Sequence, residues 1–365
     1  METRDQIKTH VQGEALAKVL PLRRAGVYLS MGVGKTLLGI KHMAENYTDY
    51  SKFLIVAPKI SIHNEWIEQA KQYNYEYLIP HMHFTTYLSL PKQDNNYDVV
   101  YLDECHSLLY THEEWLRNHM GKILGLTGTP PRWEKSEKGK MVSQFCPIMY
   151  EYEMEDAVGD KVLNDYKIVI HMLSLDSNKT MRVERKGKVW YTSELVTYKY
   201  WSQRIDKAVH KKEQQIMSVM RMKSMMNFPS KEVLAAKISS RIKDKHIIFA
   251  NTQDQADRLC SHSYHSGNPD SEGNLILFKK GEINRLSAVL QLNEGVNIPN
   301  LREGIILHAY GNERKASQRI GRLLRLNPDD IATIHILCYR DTVDERWVKS
   351  ALEDRDPSKI SYQQW

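Results

Sequence analysis

Two short stretches hold residues whose types and spacing could transfer a phosphoryl group. In MGVGKT, Gly32 and Gly34 flank Val33 and permit backbone angles that turn amide groups toward phosphates. Lys35 can neutralise the β and γ charges of a nucleoside triphosphate, and Thr36 can hold Mg²⁺. The apolar AGVYLS precedes this loop and LLGIKHMAENY follows it, giving the strand, glycine loop and helix in the order a phosphate cradle requires. Leu29 stands where the strict GxxxxGKT pattern has its first glycine, so the loop by itself leaves a plain strand-to-helix turn open. The second stretch is YDVVYL followed by Asp103, Glu104, Cys105 and His106. A carboxylate at a strand end can bind the metal and the next one can polarise a water, which makes Asp103 the metal ligand and Glu104 the base. An acidic pair at a strand end is common, but together with the glycine loop it leaves little room for accident.

Such residues need a frame to bring them together. AGVYLS, KFLIVAP, YDVVYLDE and KILGLTGTP each read as a buried strand ending in a polar loop, which implies a parallel sheet flanked by helices. In open sheets of this kind ligands bind beyond the carboxyl ends of the strands, so the chemistry should gather on one edge. A second set follows: KIVIHMLSL, HIIFAN, NLILF, RLSAVL, EGIILHAY and IATIHILCY. The expected architecture is therefore α/β, with a first lobe over residues 1–150 and a second over 151–365. Within the second lobe, about 178–235 reads as a mostly helical insertion. Val189 to Phe228 contains no Gly or Pro, and Leu195, Tyr198, Trp201 and Ile205 recur at helical spacing, which predicts one or two long helices. The methionines between Met217 and Met226 fit core filling better than a plastic binding surface. SGNPDSEGN, from Ser266, is the clearest loop by composition.

At 365 residues and 41% apolar content the chain can build two ordinary cores. No apolar run approaches a bilayer span and the first residues lack a secretory signal, which predicts a soluble, cytoplasmic protein with no membrane partner. Cys105, Cys146, Cys260 and Cys338 are scattered singly and read as reduced thiols; Cys260, His262 and His265 match no standard zinc spacing. The formal charge of +6 is modest, but residues 179–245 hold 17 Lys and Arg against 6 Asp and Glu. Arg185, Lys186, Lys211 and Lys212 lie there with Trp190 and Trp201 interleaved, a mixture suited to tracking a nucleic-acid backbone. A solvated helix with inward aromatics is the competing reading for any one of them.

MGVGKT, DECH and LTGTP, in this order, resemble motifs I, II and III of superfamily 2 helicases. APKISIHNEW resembles motif Ia, TTYLSL Ib, HIIFANTQDQADRL IV, LNEGVNIPNL V and QRIGRLLR VI. The resemblance covers nearly all of the chain except the basic insertion and implies two tandem RecA-like lobes. It further implies an ATP-driven motor with Mg²⁺ as cofactor, in which Gln318, Arg322 and Arg325 of motif VI close over ATP held by the first lobe. The three fall at i, i+4 and i+7, one helix face, although a simple basic face would show the same spacing. Thr127, Gly128 and Thr129 would link nucleotide state to closure, as would His106, Gly295 and Asn297, the last standing where many relatives have Asp. Gln12, with Gln6 as competitor, would contact adenine. Pro58, Lys59, Thr86, Asn251 and Thr252 would touch the tracked strand, mainly at phosphates. DNA is favoured over RNA because the MGVGKT loop, the Asn64–Trp66 stretch and LTGTP look more like DNA translocases, phage branch-migration enzymes above all, which would place the protein in a bacterial host cell. A restriction-system motor and an ATP-switched clamp stay open. Two lobes in one chain supply a whole ATP site, so a monomer is expected.

Overall fold

The computed structural model describes residues 3–30, 32–131, 134–185, 187–289, 298, 300–309, 330–353 and 355–365. The chain divides into two compact units, the first running through Asp165 and the second from Tyr166 to Trp365. The first unit contains α1 (Arg4–Val19), β1 (Arg24–Leu29), α2 (Lys35–Glu45), β2 (Phe53–Ala57), α3 (Ser61–Gln72) and β3 (Met82–Thr86). It continues with β4 (Val99–Asp103), α4 (Glu113–Asn118), β5 (Lys122–Thr127), α5 (Glu137–Phe145), β6 (Ile148–Tyr152) and α6 (Met154–Gly159). Its strands lie in the order β3-β2-β4-β5-β1-β6, every neighbouring pair parallel. Strands β2 and β4 bury every residue, as strands covered by helices on both faces must. Leu54, Val56, Val100 and Leu102 pack there against Leu116, Met141 and Phe145. Because β4, β5 and β1 are neighbours, the loops that leave their carboxyl ends emerge side by side. Strand β6 spans residue 150 and pairs with β1, so the first unit extends beyond the boundary expected from the sequence.

The second unit contains β7 (Asp165–Leu173), β8 (Met181–Arg185), β9 (Lys188–Thr192), α7 (Glu194–Lys207), α8 (Lys211–Met226), α9 (Pro229–Ser239) and β10 (His246–Ala250). After these come α10 (Gln253–Leu259), β11 (Ser263–Tyr264), α11 (Ser271–Lys280), β12 (Arg285–Val289), β13 (Glu303–Ile306), β14 (Ile331–Tyr339), α12 (Val343–Ala351) and β15 (Ile360–Gln364). The sheet runs β11-β12-β10-β13-β14-β7-β15. From β11 to β14 neighbours are parallel, as are β7 and β15.

Two expectations change. NLILF is not a strand: it lies inside α11, which buries Asn274, Leu275 and Phe278 on one face, leaves Ile276 exposed and stops at Gly281 in the left-handed conformation. A run of four apolar residues carries no period of its own, and the burial spacing here is helical. The insertion opens not with a helix but with the antiparallel hairpin β8–β9, turning through Gly187 at φ 74°. Helices α7 and α8 then supply the expected pair, with Ser193 capping the first through a hydrogen bond to the Val196 amide. Among the described residues no helix is long and apolar enough to cross a membrane.

Candidate active site

The first strand delivers the glycine loop. Gly34 sits at φ 99° as the residue before α2, and a Cβ there would lie 2.4 Å from Gln12 Nε2, so only glycine fits the turn. Gln12 is buried; its Nε2 donates to the Val33 carbonyl at 2.8 Å and its Oε1 accepts from Lys41 Nζ at 2.8 Å. Gln12 therefore braces the back of the loop with both ends of its amide. Gln6, its competitor as an adenine contact, uses its side chain to cap α1, accepting from the Thr3 amide at 2.7 Å. Lys35 and Thr36 open α2, whose unsatisfied amides and positive dipole end favour an anion at this position.

The two carboxylates stand opposite the loop. Lys35 Nζ lies 2.5 Å from Glu104 Oε1. Glu104 adopts φ 51°, a conformation that costs a non-glycine residue about 1–3 kcal/mol and marks a constrained functional turn. Its other oxygen faces His106 Nδ1 at 3.3 Å and accepts from the Gly128 amide at 3.5 Å. Burial pushes the Glu104 carboxyl upward, but Lys35 and His106 outweigh it and hold the group at about 2. Asp103 goes the other way: desolvation first, then the charge on Glu104, raise it to about 6 despite Lys35. Trp66 Nε1 donates to Asp103 Oδ2 at 2.9 Å, and the Tyr87 hydroxyl donates to the Asp103 carbonyl at 2.8 Å. Hence one carboxylate is anchored charged, while the other is buried, fixed in direction and short of positive charge.

The third loop completes the cluster. His106 and Thr127 share a hydrogen bond of 2.9 Å, and the Thr129 amide donates to the Thr127 hydroxyl at 3.1 Å. The structure thus joins Lys35, Glu104, His106, Thr127 and Gly128 in one connected network, with Asp103 and Trp66 beside it. Trp66 as the partner of Asp103 escaped the sequence reading, which used this residue only as the end of the motif Ia stretch. Pro58 and exposed Lys59 follow β2, and Thr86 ends neighbouring β3, on the same edge.

In the second unit Asn251 is buried, its backbone and side-chain N–H groups donating to Gln255 Oε1 while its Oδ1 has no hydrogen-bond partner among the described residues, and Thr252 caps α10 by accepting from the Gln255 amide at 3.2 Å. Both follow the carboxyl end of β10, but only the partly exposed Thr252 presents surface. Trp190 is 44% exposed on the hairpin, and Lys211 and Lys212 are exposed in the first turn of α8. Cations there oppose the helix dipole, so capping does not account for them. Gly295, Asn297, Gln318, Arg322, Arg325, Lys186 and the side chain of Arg185 lie outside the described residues.

Residues 7–132 match the family described as Type III restriction enzyme, res subunit, and residues 230–327 match the Helicase conserved C-terminal domain. These two domains in one chain define a superfamily 2 helicase, a nucleic-acid-dependent ATPase with two RecA-like lobes. Among curated proteins the chain is similar to the DNA 3'-5' translocase XPB2 of Sulfurisphaera tokodaii, 24% identical over 92% of this chain and 82% of the relative. Among solved structures it shares its fold with the ATP-dependent Type ISP restriction-modification enzyme LlaBIII bound to DNA. That match has a TM-score of 0.63, 14% identity, and spans all of this chain but 31% of that one. It also shares its fold with Dbp5 of S. cerevisiae bound to RNA and ADP BeF3, at a TM-score of 0.60 and 11% identity over 100% of this chain and 94% of the other.

Proposed function

We propose that this protein is an ATP-driven DNA translocase acting on duplex or branched DNA, with Lys35, Asp103 and Glu104 at its hydrolytic centre. The carrying observation is the Lys35–Glu104 pair, because it keeps the base ionised and occupies the lysine until a triphosphate arrives. The incoming phosphates take over Lys35, Glu104 is released to accept a proton from the attacking water, and His106 reports the exchange to Thr127. Asp103 and Thr36 offer oxygen ligands of the hard type that suits Mg²⁺. Bound there, Mg²⁺ would neutralise charge on the β and γ phosphates. Gln318, Arg322 and Arg325 would close over the nucleotide. A monomer with a DExH-type motif, of the kind phages encode for branch migration and at work in the bacterial cytoplasm, is the form proposed.

DNA is preferred to RNA because the curated relative matched over most of both chains is named a DNA translocase; the direction in that name, 3' to 5', is the one to test first. A second reading, the motor of a restriction system, draws on the match of residues 7–132 to a restriction-enzyme subunit. The test is the rate of ATP hydrolysis with no polymer, single-stranded DNA, duplex DNA, a branched junction and single-stranded RNA, with Lys35→Ala as control. Stimulation by duplex or branched DNA supports the proposal; stimulation by RNA alone replaces it with RNA remodelling. Triplex displacement separates a translocase from an ATP-switched clamp, and co-purification with a nuclease partner supports the restriction motor.

A further inference from the structure

The second sheet has an edge whose pocket takes only one described residue, Asn300, from the motifs. Where β10, β12 and β13 begin, a pocket of about 430 Å³ opens at the amino ends of the strands. Lys243 and Lys245 reach it from the turn before β10, Lys279 and Lys280 from the end of α11, and Arg302 from the approach to β13. Among the described residues Asp244 is the one acid in the lining, Asn284 and Asn300 add neutral amides, and no apolar side chain lines the pocket. Such a lining suits an anion with many acceptor oxygens and offers nothing to a base or an acyl chain.

Local structure explains part of this charge. Lys245 Nζ donates to the Lys279 carbonyl at 3.2 Å, Arg302 pairs with Asp330 at 2.9 Å, and Lys280 lies 3.8 Å from Glu282. Lys279 and Lys280 also complement the negative end of α11. Helix capping does not explain why Lys243 and Arg302, from two other segments, converge on the same cavity. Nor does one ion pair exhaust the five donors of a guanidinium. Among the described residues the excess of cations remains after Asp330 and Glu282 are included.

We infer that this pocket is a second phosphate-binding site, which takes backbone phosphates of duplex DNA flanking the segment that the motor tracks. It rests on the reading of the protein as a DNA motor and extends it. The five residues of β10 separate Lys245 from Asn251, about 16 Å of strand, so the pocket lies on the opposite edge of the sheet from the expected tracking residues. A contact there adds grip independent of sequence and of the ATP cycle.

The test is a triple variant, Lys243→Ser, Lys279→Ser and Lys280→Ser, beside the matching triple Lys→Arg variant as a control for α11. Duplex DNA binding is followed by fluorescence anisotropy across a salt series. Each phosphate contact contributes about 0.9 to the slope of log affinity against log salt, so the Ser triple should lower that slope by about 2 to 3. The Arg triple should keep it, and ATP hydrolysis without polymer should match wild type in both. An unchanged slope in the Ser triple overturns the pocket while leaving the motor intact. Absence of duplex binding by the wild-type protein removes both. Calorimetric titration with inorganic pyrophosphate separates the sources: a binding event lost only in the Ser triple, with DNA binding unaffected, makes the ligand a free phosphate anion and overturns the DNA assignment.

Discussion

Lys35 Nζ and Glu104 Oε1 stand 2.5 Å apart, so the lysine proposed to grip a triphosphate and the carboxylate proposed to activate water neutralise each other. The pair is largely buried, with side-chain exposures of 14% and 11%. Either group alone would be a poorly solvated charge, and breaking such a pair from one side is strongly destabilising. In the proposed cycle a bound nucleotide would offer Lys35 a replacement partner of the same sign as the one it leaves.

Glu104→Gln should lower the DNA-stimulated rate of hydrolysis by about 10²- to 10⁴-fold, the range for loss of a general base. Nucleotide affinity should not fall, since Lys35 is freed rather than lost. Lys35→Ala should abolish both. Equilibrium binding of a fluorescent ATP analogue beside single-turnover hydrolysis checks the contrast; equal loss of binding in the two variants would contradict it.

His106→Ala and Thr127→Ala each break the 2.9 Å hydrogen bond that joins the second and third motifs. Hydrolysis without polymer should persist while stimulation by DNA falls. The double variant should lose little more than either single one, with a coupling on the order of 1 kcal/mol. Independent, additive losses would place the two residues on separate routes.

Asp103 is raised to about 6 in the folded chain. A carboxyl whose folded value exceeds its unfolded one binds protons more readily when folded. Its burial penalty is thus absent at pH 4 and grows as pH rises from about 4 to 6. Asp103→Asn, which keeps an acceptor for Trp66, should therefore raise stability at pH 7 by on the order of 2 kcal/mol while abolishing hydrolysis. Glu104, held at about 2, has the reverse sign: its contribution is present above about pH 4.5 and is lost as pH falls toward 2. Denaturant unfolding of wild type and both carboxylate variants from pH 2 to 7 resolves the two slopes.

Trp190→Ala should weaken binding of single-stranded or junction DNA by about 1–3 kcal/mol, as stacking on one exposed aromatic predicts, with no change in melting temperature. An unchanged affinity would return the hairpin to the status of a solvated surface.

Much of the first lobe was legible as sequence. AGVYLS, KFLIVAP, YDVVYLDE and KILGLTGTP each contain the strand they suggested, because a strand buried on both faces leaves an unbroken apolar run. That Lys35, Asp103 and Glu104 stand beside strand ends was legible from the apolar runs that precede them; their part in phosphate chemistry is the proposal. NLILF misled because its four apolar residues fit a strand or a buried helix face equally well. Spacing along the chain could not show that Gln12 spends its amide on Val33 and Lys41, or that Trp66 steers Asp103. Nor could it show that β4, β5 and β1 lie side by side, or that Lys243, Lys279 and Arg302 share one cavity. Local sequence determines which groups are present and which strand ends carry them. Sheet order and side-chain direction decide which of them meet, since both depend on contacts between segments far apart in the chain.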